Sequence, residues 1–108
     1  MNYLQELAAF ACRTRLADLP APVLERTRWV VADSLPVIGA GMQQPEMQAF
    51  LKHPFHPGKA WVIGAKRRAN PLDAALLNGT AGTWLELNEG NLIAKGHPGI
   101  QVVPERAA

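Results

Sequence analysis

The sequence predicts an all-α fold, on three observations. Apolar residues recur at helical spacing in several segments, proline and glycine punctuate the boundaries between them, and only one short run looks extended. We expect three to four helices with a short extended segment and a long polar C-terminal loop. The 108 residues and 48% hydrophobic content suit one globular unit.

The first helix is expected over residues 3–15. Tyr3, Leu7, Phe10 and Thr14 form a stripe with Leu4, Ala8 and Ala11 beside it, and Arg13 and Arg15 close the last turn, where cations suit the helix dipole. Cys12 lies inside this helix and is expected to be a buried or half-buried small hydrophobe. A second helix starts near Pro20 or Pro22, because a first-turn proline costs little. Leu24, Val31, Leu35 and Ile38 form one apolar row, with Val23, Thr27, Val30 and Val37 adjacent. The face is wide enough for a core helix. Pro36 predicts a kink or an early end, and Gly39 and Gly41 mark the exit.

Residues 45–51, PEMQAFL, form a plausible short helix, and residues 53–58 a loop. AWVIG (60–64) is a strand or an extended connector, followed by the basic turn AKRRAN. Asn70-Pro71-Leu72-Asp73 is the clearest helix start in the chain. Asparagine caps, proline suits the first position, and the aspartate falls in the positive first turn. This helix carries Leu76, Leu77, Ala81, Trp84 and Leu85 through Asn78-Gly79, with Gly79 and Gly82 expected to admit a close neighbour. A polar loop follows from Glu86. IQVVP then comes with nothing after it to pack against, so the chain reads as a piece of a longer protein.

Composition excludes several function classes. A net charge of +2 is weak support for a nucleic-acid partner. No run reaches the roughly 18 apolar residues of a membrane span, since Asp33 interrupts the most apolar stretch. The N-terminus lacks the basic and apolar regions of a signal peptide. With one cysteine there is no internal disulfide. We expect a cytoplasmic chain with no membrane and no nucleic-acid partner.

The segment ELNEGNLIAKGHPG, residues 86–99, sets two acids, two carboxamides, a lysine and a histidine between glycines. Such composition suits chemistry better than a helical core. LLNGTAGTWLELNEGNLIAKGHPGIQVVP resembles the signature region of the MmgE/PrpD family, which includes 2-methylcitrate dehydratase, cis-aconitate decarboxylase and related isomerases of polycarboxylates. LAAFACRTRLADLPAPVLERTRWVVADSLPVIGAG resembles the family's opening helices, and GKAWVIGAKRRANPLDAALLNGT the run into the signature. The resemblance implies that residues 1–108 are part of an N-terminal helical domain. The rest of that domain and a separate lid domain lie outside this chain. It further implies a dimer or other homo-oligomer, a small polycarboxylate substrate in the intact protein, and neither metal nor organic cofactor.

The resemblance gives candidate residues. His97 matches the family's His-Pro histidine; an imidazole near neutral pKa suits proton transfer beside a carboxylate, and flanking glycines admit a ligand closely. Glu86 stands at the first aspartate of the family's acidic run, and Glu89 keeps a later acid. His97, Glu86 and Glu89 are therefore the candidate catalytic residues, with a carboxylate orienting the histidine. Asn88 stands where many members have a second aspartate; its amide hydrogen-bonds a carboxylate but is no base. Asn88 and Lys95 are the candidate substrate-binding residues, although a solvated lysine is an ordinary loop feature. Thr83 stands where many members have histidine, the loop before His97 is one residue longer than in decarboxylase-like members, and PERAA is less apolar than the usual continuation. These departures leave substrate and reaction open among dehydration, decarboxylation and isomerisation.

Other constellations are weaker. His53, His56 and His97 lack a zinc-binding pattern. Lys66-Arg67-Arg68 without interleaved aromatics reads as a solvated turn, and Asn78 and Gly79 as helix-packing residues. The alternative to an enzyme fragment, itself expected to be inactive alone, is a non-catalytic helical interaction module or the inactive product of a truncated gene. Few aromatic anchors in the loop disfavour a binding face.

Overall fold

The computed structural model describes residues 2–93 and 95–107, with residues 105–107 as backbone only. Met1, Ala94 and Ala108, the last residue of PERAA, lie outside the described residues. Five α-helices occur among these: α1 (Tyr3–Arg13), α2 (Ala21–Met42), α3 (Pro45–Phe50), α4 (Pro71–Trp84) and α5 (Pro98–Ala107). A single 3-10 turn, Leu16–Asp18, joins α1 to α2, and strands β1 (Ala60–Trp61) and β2 (Arg68–Ala69) form a small antiparallel ribbon. The fold is thus mostly helical, with a small sheet.

The core sits where α4 meets α2 and α5. Ile38, Met42, Met47, Leu77 and Val62 are essentially sealed from solvent, and each such side chain contributes about 1.5–3 kcal/mol of burial. Helices α2 and α4 touch backbone to backbone at Gly41. A Cβ there would overlap the Ala81 carbonyl, lying 2.8 Å from its carbon. Gly82 makes room for the Ile100 side chain of α5, whereas Gly79 faces open space and admits no neighbour.

Two asparagines fix α4. Asn70 caps it, its Oδ1 accepting from the Asp73 N–H at 2.9 Å. Asn78 is fully buried inside the helix; its Oδ1 accepts from the Ile63 N–H (2.9 Å) and its Nδ2 donates to the Trp61 carbonyl (3.1 Å). This amide replaces the strand partner that the chain lacks after β1. An Asn-Gly pair therefore sits in a continuous helix because tertiary bonds outweigh its turn preference.

Several elements depart from the sequence reading, each for a physical reason. The C-terminal region is not loop throughout. IQVVP belongs to α5, and its packing partners are the preceding α4 and α2. Pro36 does not end α2, which runs six residues further. Its lost hydrogen bond falls on an exposed side of the helix, where water reaches the freed carbonyl, and the buried Ile38–Met42 turn holds the next stretch in place. The AKRRAN segment supplies β2. Its Arg68 guanidinium lies 3.8 Å from the centre of the Trp61 ring, and Arg67 donates to the Leu51 carbonyl at 2.5 Å.

Helix α1 keeps its predicted amphipathic stripe and an Asn2–Gln5 capping box, yet buries no residue. Tyr3 and Phe10 are 74% and 67% exposed. Cys12 is exposed as well, against expectation, because no second layer covers its helix. Of the apolar rows of α2 only Ile38 is buried, and the buried residues of that helix all lie from Ser34 onward. The unpacked end makes the molecule elongated, 45 × 26 × 25 Å with a radius of gyration of 15.6 Å, where a compact chain of this length gives about 13 Å. No helix among the described residues is long and apolar enough to cross a membrane.

Candidate functional site

The polar segment between α4 and α5 is a structured loop. Leaving α4, the chain turns at Glu86, which takes a left-handed φ of 53° while its N–H bonds the Thr83 carbonyl at 3.1 Å. Asn88 is buried beneath the turn. The chain then forms a small hairpin closed by an antiparallel bridge between Asn91 and Gly96, with bonds of 2.9 and 3.4 Å. At its tip the Asn91 side chain accepts from the Ile93 N–H at 3.0 Å, and Leu92 and Ile93 are almost wholly exposed. Lys95 takes a second left-handed position, φ 50°, a conformation costly for a residue with a Cβ and held here by the bridge.

His97 is the last residue before α5. Its Nδ1 lies 2.7 Å from the Glu89 carbonyl oxygen. The Glu89 carboxylate turns the other way and accepts from the backbone N–H of Gly99, in the first turn of α5. That N–H has no partner within the helix, and the helix N-terminus favours a negative charge. Gly99 must be small: a Cβ there would sit 2.9 Å from Val30 Cγ1 and against the Glu89 carboxylate.

The loop borders two clefts. One, of about 350 Å³, is open and lined by Gly90, Asn91, Leu92, Lys95, Gly96 and His97. The other, of about 280 Å³, lies on the far side of Glu89 against Arg26, Trp29, Val30 and Asp33 of α2. Those four residues follow i, i+3, i+4, i+7 spacing and so share a helix face. The sequence reading placed Val30 in an apolar row and did not join it to Arg26, Trp29 and Asp33 as one face; their spacing was the available signal.

Of the candidates, Lys95 and His97 share one cleft, while Glu89 meets His97 only through its backbone carbonyl and turns its carboxylate to the other cleft and Gly99. Glu86 is exposed at the helix exit and lines neither cleft, and Asn88 is buried below the loop and lines neither. Elsewhere, His56 is engaged with Asp73, whose carboxylate accepts from the His56 N–H (2.7 Å) and lies 3.1 Å from its Nδ1. The backbone bond, first of all, holds the Asp73 carboxyl below its ordinary value of 3.8, against partial burial that raises it; the His56 ring and Arg67 add to the lowering. No group of three or more potential ligands, from His, Cys, Asp and Glu, is placed to hold a metal among the described residues.

A mostly helical unit whose polar loop presents a histidine at a helix N-terminus fits the signature noted above. Residues 5–108 match the MmgE/PrpD N-terminal domain, and the chain belongs to that family. Among curated proteins it is similar to the cis-aconitate decarboxylase-like protein oryM of Aspergillus oryzae, at 29% identity over 106 residues. That match covers 95% of this chain but 22% of the relative, so the chain spans about a fifth of its length. No solved structure matches the chain.

Proposed function

We propose that this chain contributes the histidine-bearing part of the active site of a cofactor-independent lyase or isomerase acting on small polycarboxylates, in a 2-methylcitrate dehydratase-like reaction. The observation that carries the reading is His97, with one ring nitrogen tied to Glu89 and the imidazole bordering an open cleft that also holds Lys95. Family membership supports lyase-type chemistry, and the name of the fungal relative points to carboxylated substrates.

In this reading a proton is removed from carbon next to a carboxylate, and water or carbon dioxide then leaves or the carbon is reprotonated. His97 carries the proton as base or acid. Lys95 attracts a substrate carboxylate, and the carbanionic charge that develops needs further cations. The loop itself carries Glu86 and Glu89 against a single lysine; Arg26 lines the neighbouring cleft beside Glu89, and the remaining cations are supplied by protein outside this chain. The unburied apolar faces of α1 and α2 suit association with such protein, a second copy of the chain included.

The test follows proton exchange and turnover by NMR in D2O with citrate, 2-methylcitrate and cis-aconitate, with His97→Ala as control. Exchange at the carbon beside a carboxylate that disappears in His97→Ala supports the reading. Exchange that persists in His97→Ala overturns the role of this histidine. A folded chain that exchanges none of the three supports an incomplete enzyme, and the same His97→Ala comparison is then made in the larger assembly.

A further inference from the structure

We infer that Nε2 is the proton-carrying atom of His97, and that Glu89 is a positioning residue that fixes this choice through both its backbone and its side chain; the inference rests on the function proposed above. A carbonyl oxygen has no proton to give, so at 2.7 Å from the Glu89 carbonyl His97 Nδ1 donates. The neutral ring then holds its proton on Nδ1 and offers the Nε2 lone pair. This reverses the preference of a free histidine, whose neutral ring keeps the proton mainly on Nε2.

The carbonyl stays in place because Glu89 is held at both ends of the hairpin. The Asn91–Gly96 bridge returns the chain to His97, and the Glu89 carboxylate is bonded to the Gly99 N–H two residues beyond it. One residue thus orients the imidazole with its main chain and anchors the following helix with its side chain. The carboxylate, satisfied by a helix N-terminus, is not the base. The absence of a Cβ at Gly99 is what lets the carboxylate approach.

The tautomer is read directly from long-range 1H–15N correlations of the 15N-labelled chain, at a pH where imidazoles are neutral. The His97 pattern is assigned by its loss in His97→Gln. The expected result is the Nδ1–H form for His97, beside mainly Nε2–H for the exposed His53. An Nε2–H form at His97, or a mixture matching His53, overturns the inference. Glu89→Gln keeps an acceptor for Gly99 and should keep the pattern, whereas Glu89→Ala should let it relax toward that of His53. An unchanged pattern in a folded Glu89→Ala chain removes the side-chain half of the inference. Should Glu89→Ala fail to fold, the wild-type tautomer and Glu89→Gln still decide the outcome. Loss of the tautomer leaves His97-dependent exchange standing, and loss of exchange leaves the tautomer standing, so the two failures are distinguishable.

Discussion

Replacing Asn78 by alanine removes the amide that ties α4 to the segment after β1. Two backbone groups lose their partner, the Ile63 N–H and the Trp61 carbonyl. An unsatisfied buried group costs about 1–3 kcal/mol. Both bonds are part-buried, so water partly replaces each lost partner and the two groups count toward the lower end. The sum is about 2–4 kcal/mol, a large share of the roughly 5–15 kcal/mol of an ordinary domain. With a urea dependence of about 1.5 kcal/mol per molar, the unfolding midpoint should fall by roughly 1.3–2.7 M. Far-UV circular dichroism in a urea series reads this. Asn78→Asp keeps an acceptor for Ile63 but sets a second oxygen against the Trp61 carbonyl, and should also destabilise. A midpoint for Asn78→Ala within about 0.3 M of wild type would refute the reasoning.

Four further outcomes follow from the structure. Gly41→Val drives a side chain into the Ala81 carbonyl and should cost more than about 3 kcal/mol. Gly79→Ala meets nothing within 4 Å and should stabilise by about 0.5–1 kcal/mol, both changes read by thermal unfolding. Because the folded pKa of Asp73 is depressed, its contribution to stability is full above 3.8 and is lost as pH falls below that value. Asp73→Asn should therefore flatten that part of the acid unfolding curve, and a curve unchanged by the substitution would show that the pairing with His56 adds nothing. Cys12 should react with a maleimide in the native chain as fast as in urea, since it is exposed; strong protection would place a covering layer over α1.

The sequence carried the local rules of this fold more fully than its contacts. Asn70-Pro71-Leu72-Asp73 predicted the start of α4 because capping is settled within four residues. The amphipathic stripe of α1 was legible too, but a stripe states only that a face is apolar, not that anything covers it. That is why Cys12 was misplaced. Pro36 misled for the reverse reason. Its local penalty was read correctly, while the burial of Ile38 and Met42 that outweighs it depends on α4, far along the chain. Helix α5 was missed because its core contact, Ile100 lodged against Gly82, is visible only in three dimensions.

The candidate site divides in the same way. The residue types and glycines of 86–99 marked the loop, and the family signature singled out His97. Sequence spacing could not say which of the two acids meets the histidine, nor that its backbone carbonyl rather than its carboxylate does so, because Glu86 and Glu89 lie three residues apart on a non-repeating backbone. The left-handed turn at Glu86 sends that side chain outward, whereas the hairpin returns His97 to Glu89. Nor did charge alone separate Lys95 from the basic turn at 66–68. The structure commits Arg67 to the Leu51 carbonyl and Arg68 to the Trp61 ring, and leaves Lys95 on a cleft.

The most direct measurement is therefore a residue-resolved NMR titration of the 15N-labelled chain with citrate and cis-aconitate. The account predicts that the largest shifts fall on Lys95, Gly96 and His97, and that they vanish with an uncharged ester of the same acid. Shifts that instead centre on Lys59, Lys66 and Arg68 of the ribbon, or a loop that does not respond to either acid, would contradict it.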